Sequence, residues 1–157
     1  MGKRKAGGQQ GMDHLTLNES MLVGHRQIDA GHAALVGLVN KCVDLVGNSV
    51  AAAELHTVLI ELRDMFVRHI DEEETIMRDL GYPDMEVERN EHVDGMKRLN
   101  QLLDQCREGA DLDELLREVS GLLLTVFIKS DMGFKSFLQS IDYQDEPRGD
   151  GEGAFVV

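Results

Sequence analysis

The sequence predicts an all-α protein, an up-down antiparallel four-helix bundle, and three observations carry that expectation. Apolar residues recur in the alternating four-and-three steps of a single helix face over long stretches. Strong breakers fall at three places, Gly47-Asn48, Gly81-Tyr82-Pro83 and Gly109-Ala110-Asp111, and divide the chain into four segments, each long enough for an extended helix. Aromatic residues make up 4% of the 157 and Trp is absent, which argues against a β-sandwich or barrel. Short links between long helices make successive helices antiparallel neighbours.

Each segment carries its own stripe. The first has Ile28, His32, Leu35, Val39, Cys42 and Val46. The second runs without a break through Leu55, Leu59, Leu62, Phe66, His69, Glu73, Ile76 and Leu80. The third has Met85, Glu88, His92, Met96, Leu99, Leu103 and Cys106. The fourth has Leu112, Leu115, Val119, Leu123, Phe127, Asp131, Phe134 and Leu138, with Asp111 placed to cap its start. Outside them, residues 1–16 read as a disordered lead-in and 143–157 as an acidic, Gly-rich disordered tail, leaving 17–142 as the helical domain.

Composition narrows the possible partners. Hydrophobic residues at 42% and charged residues at 29% describe one soluble globular domain. A net charge of −13, with Lys3, Arg4 and Lys5 the only basic cluster, excludes nucleic acid or an anionic membrane surface as the main partner. The longest apolar runs, such as Leu122–Ile128, are too short to span a bilayer, and no apolar stretch follows the basic start as a secretory signal would require. Cys42 and Cys106 stand alone and read as buried thiols in a reducing cytoplasm.

All four stripes are interrupted by groups that bind metal: His32, His69 with Glu73, Glu88 with His92, and Asp131. Burying one such group without a partner costs roughly 2–7 kcal/mol when neutral and more when charged. A lone His on an apolar face is usually a hydrogen-bonded core residue. Six intrusions shared among four helices call for a common explanation. The two i,i+4 pairs put both side chains on one face a turn apart, where they converge on one metal or on adjacent metals. Imidazole with carboxylate, and no thiolate, favours iron or manganese over structural zinc. The competing explanation is a salt-bridged, hydrated polar layer.

At these residues the chain resembles the hemerythrin family in its bacterial single-domain form. The segment His69-Ile70-Asp71-Glu72-Glu73-Glu74-Thr75-Ile76-Met77 with Gly81-Tyr82-Pro83 is similar to the family's His-Phe-x-x-Glu-Glu-x-x-Met and its Gly-Tyr-Pro turn. Gly24, then Ile28-Asp29-Ala30-Gly31-His32, Leu35 and Asn40, resemble its first-helix motif. The resemblance implies two irons: His32 and His69 match ligands of the iron that binds dioxygen, Glu73 and Asp131 match the bridging carboxylates, and His92 matches a ligand of the other iron. The sequence departs from the pattern twice, at that second iron, where Glu88 replaces the first His of the third-helix His-x-x-x-His and Val126 replaces the His of His-x-x-x-x-Asp. Glu can ligate; Val cannot. His25 is a conceivable substitute but reads as a residue that caps or lines the helix start, and His14 and His56 fall off the stripes. Leu17, Ile70, Val36 and Met96 stand where the family has aromatics, so the pocket should be aliphatic and sulfur-lined.

The expected function is that of a hemerythrin-like, non-haem di-iron protein binding dioxygen or a related small ligand for sensing, storage or delivery. The expected cofactor is two irons, with one iron or an iron–manganese pair as variants. Two alternatives stay open: an oxidase- or peroxidase-like site made possible by two open irons, and a metal-depleted bundle serving as an interaction module.

Overall fold

The computed structural model describes residues 11–145, except for the side chains of Val126 and Phe127. Three long helices form first: α1 (Arg26–Gly47), α2 (Ala52–Leu80) and α3 (Met85–Arg107), of 22, 29 and 23 residues. The fourth pillar is α4 (Leu112–Leu122), a π-helical segment (Leu123–Lys129) and α5 (Met132–Ser140). Around the ring, α1 packs on α2, α2 on α3, α3 on α4, and α4 back on α1. No strand occurs among the described residues.

The expected breakers end the helices by identifiable means. Gly81 takes the left-handed conformation, φ 75°, and donates to the Arg78 carbonyl while Tyr82 N–H reaches the Met77 carbonyl. This pairing satisfies the last carbonyls of α2 and needs a residue without Cβ. Asp111 caps α4 as its type suggests, its carboxylate accepting from Glu114 N–H at 2.9 Å.

The stripes form the core with two local shifts. Near the end of α2 it is Met77 that is fully buried, while Ile76 and Leu80 only pack against the core, because a 3.5-residue rhythm drifts against a 3.6-residue helix. In the fourth pillar the expected unbroken helix is replaced by the π turn. Among the described side chains the buried series runs Leu115, Val119, Leu123, Ile128 and Asp131, with a step of five between Leu123 and Ile128. The wider π turn absorbs one extra residue and resets the register. The expected Phe127 side chain lies outside the described residues.

Buried apolar side chains form two separate clusters. The larger holds Leu35, Leu59, Phe66, Leu99, Leu116 and Ile128 among others. The smaller, at the other end, holds Val23, Ile28, Met77, Tyr82, Phe134 and Leu138. Between Ile28 and Leu35, Phe66 and Met77, Tyr82 and Leu99, and Ile128 and Phe134 lies one polar layer.

Both flanks extend onto the bundle. Leu15 exchanges hydrogen bonds with the Asn40 side chain, at 2.7 and 3.0 Å, and Met12 and Leu17 rest on the core. At the far end Tyr143 stacks on His25, and the Asp145 carboxylate accepts from Arg26 N–H at 3.0 Å. His25 therefore lines the start of α1 while Asp145 caps it. Residues 1–10 and 146–157, most of the expected lead-in and tail, lie outside the described residues. No helix is long and apolar enough to cross a membrane.

Candidate metal centre

The polar layer is built from the six residues that interrupt the stripes. His32 comes from α1, His69 and Glu73 from successive turns of α2, Glu88 and His92 from successive turns of α3, and Asp131 from the turn between the π segment and α5. None is more than 4% exposed. An Asp just before a helix ordinarily caps it; Asp131 makes no cap bond and is wholly buried.

Their ligand-type atoms fall into two groups. One oxygen or nitrogen from each of His32, His69, Glu73 and Asp131 lies within 4.8 Å of all the others, and the same holds for Glu88, His92 and Asp131. Asp131 belongs to both. His32 Nε2 stands 2.8 Å from Asp131 Oδ2, His69 Nε2 3.8 Å from Glu73 Oε2, and His92 Nε2 3.3 Å from that same Glu73 oxygen. The His32–Asp131 contact is close yet out of line for a hydrogen bond. His32 Nε2, His69 Nε2, Glu73 Oε1, Glu88 Oε2 and Asp131 Oδ2 are all buried without a hydrogen-bond partner among the described residues. Natural interiors seldom leave so many polar atoms unpaired in one place. A divalent cation in each group meets the need, because imidazole nitrogen and carboxylate oxygen are its donors. The residues fit the metal.

The electrostatics agree. Burial and the Asp131 charge raise the Glu73 carboxyl, and burial with Asp131, Glu91 and Glu73 pushes Glu88 up to about 8. Burial and the neighbouring His32 bring His69 down to about 4. For His32 and His92 burial pulls downward but is outweighed: Asp131 raises His32, and Glu73 and Glu74 raise His92 to about 9. Three carboxyls crowded into a dry layer repel one another, and a cation between them reverses that penalty.

Several supporting residues carry no signal in the stripes. A Cβ on Gly31 would stand 2.2 Å from His69 Nδ1, so the His69 ring lies directly against the α1 backbone. Glu74 Oε1 stands 3.2 Å from His92 Nδ1, and Arg89 Nε donates to Glu74 Oε2 at 3.1 Å. Ser130 Oγ donates to Asp131 Oδ1 at 3.3 Å. Gly31 and Glu74 stand in the first- and second-helix motifs, whereas Arg89 and Ser130 stand in neither. Of the remaining histidines, His14 pairs with Asp44 on the surface and His56 is half-buried near the start of α2, both away from the layer.

Residues 23–130 match the family described as the hemerythrin HHE cation-binding domain. That range holds five of the six layer residues and stops one short of Asp131. Curated relatives include bacteriohemerythrins of Pseudomonas aeruginosa and of Pseudomonas paraeruginosa. Each is 28% identical over 124 residues, covering 78% of this chain and 80% of its own length. No match of comparable strength is found among solved structures.

Proposed function

The chain belongs to the hemerythrin family, and on that premise we propose that its core layer holds two irons and binds dioxygen or a related small ligand there. The observation that carries this reading is the convergence of unpaired ligand-type atoms from all four pillars between two apolar clusters. Ferrous iron, when bound, supplies the electrons and the open coordination position that a diatomic ligand requires.

The chain's own residues do the rest. His32, His69, Glu73 and Asp131 would hold one iron, and Glu88, His92 and Asp131 would hold the other. His69, kept neutral by burial, offers its nitrogen without first losing a proton. The apolar clusters on either side limit water at the layer, which slows loss of electrons to solvent-borne oxidants. The protein is proposed to act in the cytoplasm as a sensor, store or carrier.

Metal analysis of protein from iron-replete cells tests the reading. Two irons per chain, a rise in melting temperature on loading, and loss of most of that rise in His69→Ala are expected, with His56→Ala unchanged. Protein that takes up no iron would instead be the metal-depleted interaction module.

The inequality of the groups favours a second reading. The Glu88 group has three protein donors where the other has four, and it contains one imidazole. An anionic Glu88 in place of imidazole stabilises ferric iron, and fewer ligands leave more open positions, as an oxidase- or peroxidase-like site needs. Sustained peroxide turnover by the loaded protein would select this reading. Glu88→His should slow air oxidation of the ferrous form.

A further inference from the structure

Among the described residues, His92 is the one ring of the layer with a carboxylate on each nitrogen. Its Nε2 faces inward, 3.3 Å from Glu73 Oε2, and its Nδ1 faces the α2–α3 seam, 3.2 Å from Glu74 Oε1. His32, by contrast, leaves Nδ1 buried without a hydrogen bond, and His69 rests its Nδ1 edge on Gly31. We propose that Glu74, held in turn by Arg89, is the positioning residue that fixes His92 and thereby sets the occupancy of the Glu88–His92–Asp131 group. The inference rests on the metal-binding reading above.

The arrangement follows from helix geometry. Glu73 and Glu74 are consecutive on α2 and so point about 100° apart around its axis. One carboxylate enters the dry layer at 1% exposure, while the next stops at the seam at 15%. From α3, Arg89 reaches the same seam one turn before His92 and donates to the second Glu74 oxygen. Each Glu74 oxygen thus has one partner, and the carboxylate cannot swing away without breaking both.

A carboxylate accepting from Nδ1–H keeps the proton on that nitrogen and leaves the Nε2 lone pair directed inward. It also fixes the ring plane. These effects weigh most where an imidazole has no companion. In the four-donor group two histidines share the work, whereas in the three-donor group His92 is the only nitrogen ligand. Arg89 is half-exposed, so its ion pair with Glu74 adds little stability. Its effect is orientation.

Ferrous iron titration of the full chain, with iron per chain measured after equilibrium dialysis, tests this directly. Wild type should hold two irons. Glu74→Ala should bind one iron as wild type does and the other about 10- to 100-fold more weakly, the usual effect of losing such a partner. Its metal-free melting temperature should stay close to wild type. Glu74→Gln, whose amide oxygen still accepts from Nδ1–H, should recover most of the second iron, and Arg89→Ala should fall between the two. Adding His69→Ala to Glu74→Ala should weaken the remaining iron as well. Two irons at wild-type affinity in Glu74→Ala would overturn the proposal while leaving the metal reading intact, whereas wild type without iron would overturn both. Should Glu74→Ala fail to fold, Arg89→Ala decides: weaker binding at one iron only supports the proposal, and wild-type binding at both or an equal loss at both overturns it.

Discussion

Gly31 shows how a residue with no donor atom shapes the layer. Its missing Cβ gives the His69 ring its place against α1. In Gly31→Ala the methyl group meets ring atoms that cannot give way by a small rotation, and overpacking of this kind costs about 1–3 kcal/mol. The expected outcome is weaker iron binding by the four-donor group, read by the dialysis titration, with helical circular dichroism retained. The six layer residues were legible because each breaks an apolar stripe. The contacts of Glu74 and Arg89 were not: Glu74 matches the second Glu of the second-helix motif but ends the run Asp71-Glu72-Glu73-Glu74, where an acidic residue on a solvated helix face looks the same whether or not it touches a ring across the seam.

At the scale of elements, the three long helices and their links follow from periodicity and breakers, and the fourth pillar shows where periodicity stops being informative. From Leu122 to Ile128 every residue except Thr125 is apolar, so a step of four and a step of five both land on a hydrophobic side chain. Nothing in such a run announces a π turn. The wider turn matters because it sets the rotation of everything after it, Asp131 included. Deleting the exposed Thr125 removes the one extra residue, so the segment should close into an ordinary α-helix with Asp131 still facing the layer. Both groups would then keep their shared oxygen. Helicity by circular dichroism should be nearly unchanged and bound iron should stay at the wild-type level; bound iron below one per chain in the deletion variant would show that the π turn does more than absorb the extra residue.

For the whole molecule, the layer couples metal, protons and stability. In metal-free protein, Glu88 lies at about 8 against an ordinary 4.5, and His92 at about 9 against 6.5. Both are raised on folding, so their contributions are fully present below the ordinary values and are lost as pH rises through about 8 and 9. His69 at about 4 has the opposite sign: its contribution is present above 6.5 and is lost as pH falls toward 4. Above pH 6.5 the changes come from raised groups, Glu73 and His32 among them, which all lose stability in the same direction, and the metal-free melting temperature should fall between pH 6.5 and 9. Cation binding needs the deprotonated forms, so the gain on loading should grow over that interval. Calorimetry of both forms at several pH values checks it, and a gain that shrinks with pH would contradict this account.

The polar layer also parts the molecule into two apolar bodies, one around Phe66 and one around Phe134, that share helices but not a core. Without a cation the waist between them is a band of mutually repelling groups, and each body is free to open on its own terms. Native-state hydrogen exchange on the metal-free protein should therefore resolve two unfolding units, the smaller one opening at lower free energy. Phe134→Ala should loosen that unit and spare amides around Phe66. With metal bound across all four pillars the units should merge, and the same substitution should lower protection throughout. The ion would then act as a keystone, turning two small domains in series into one cooperative fold.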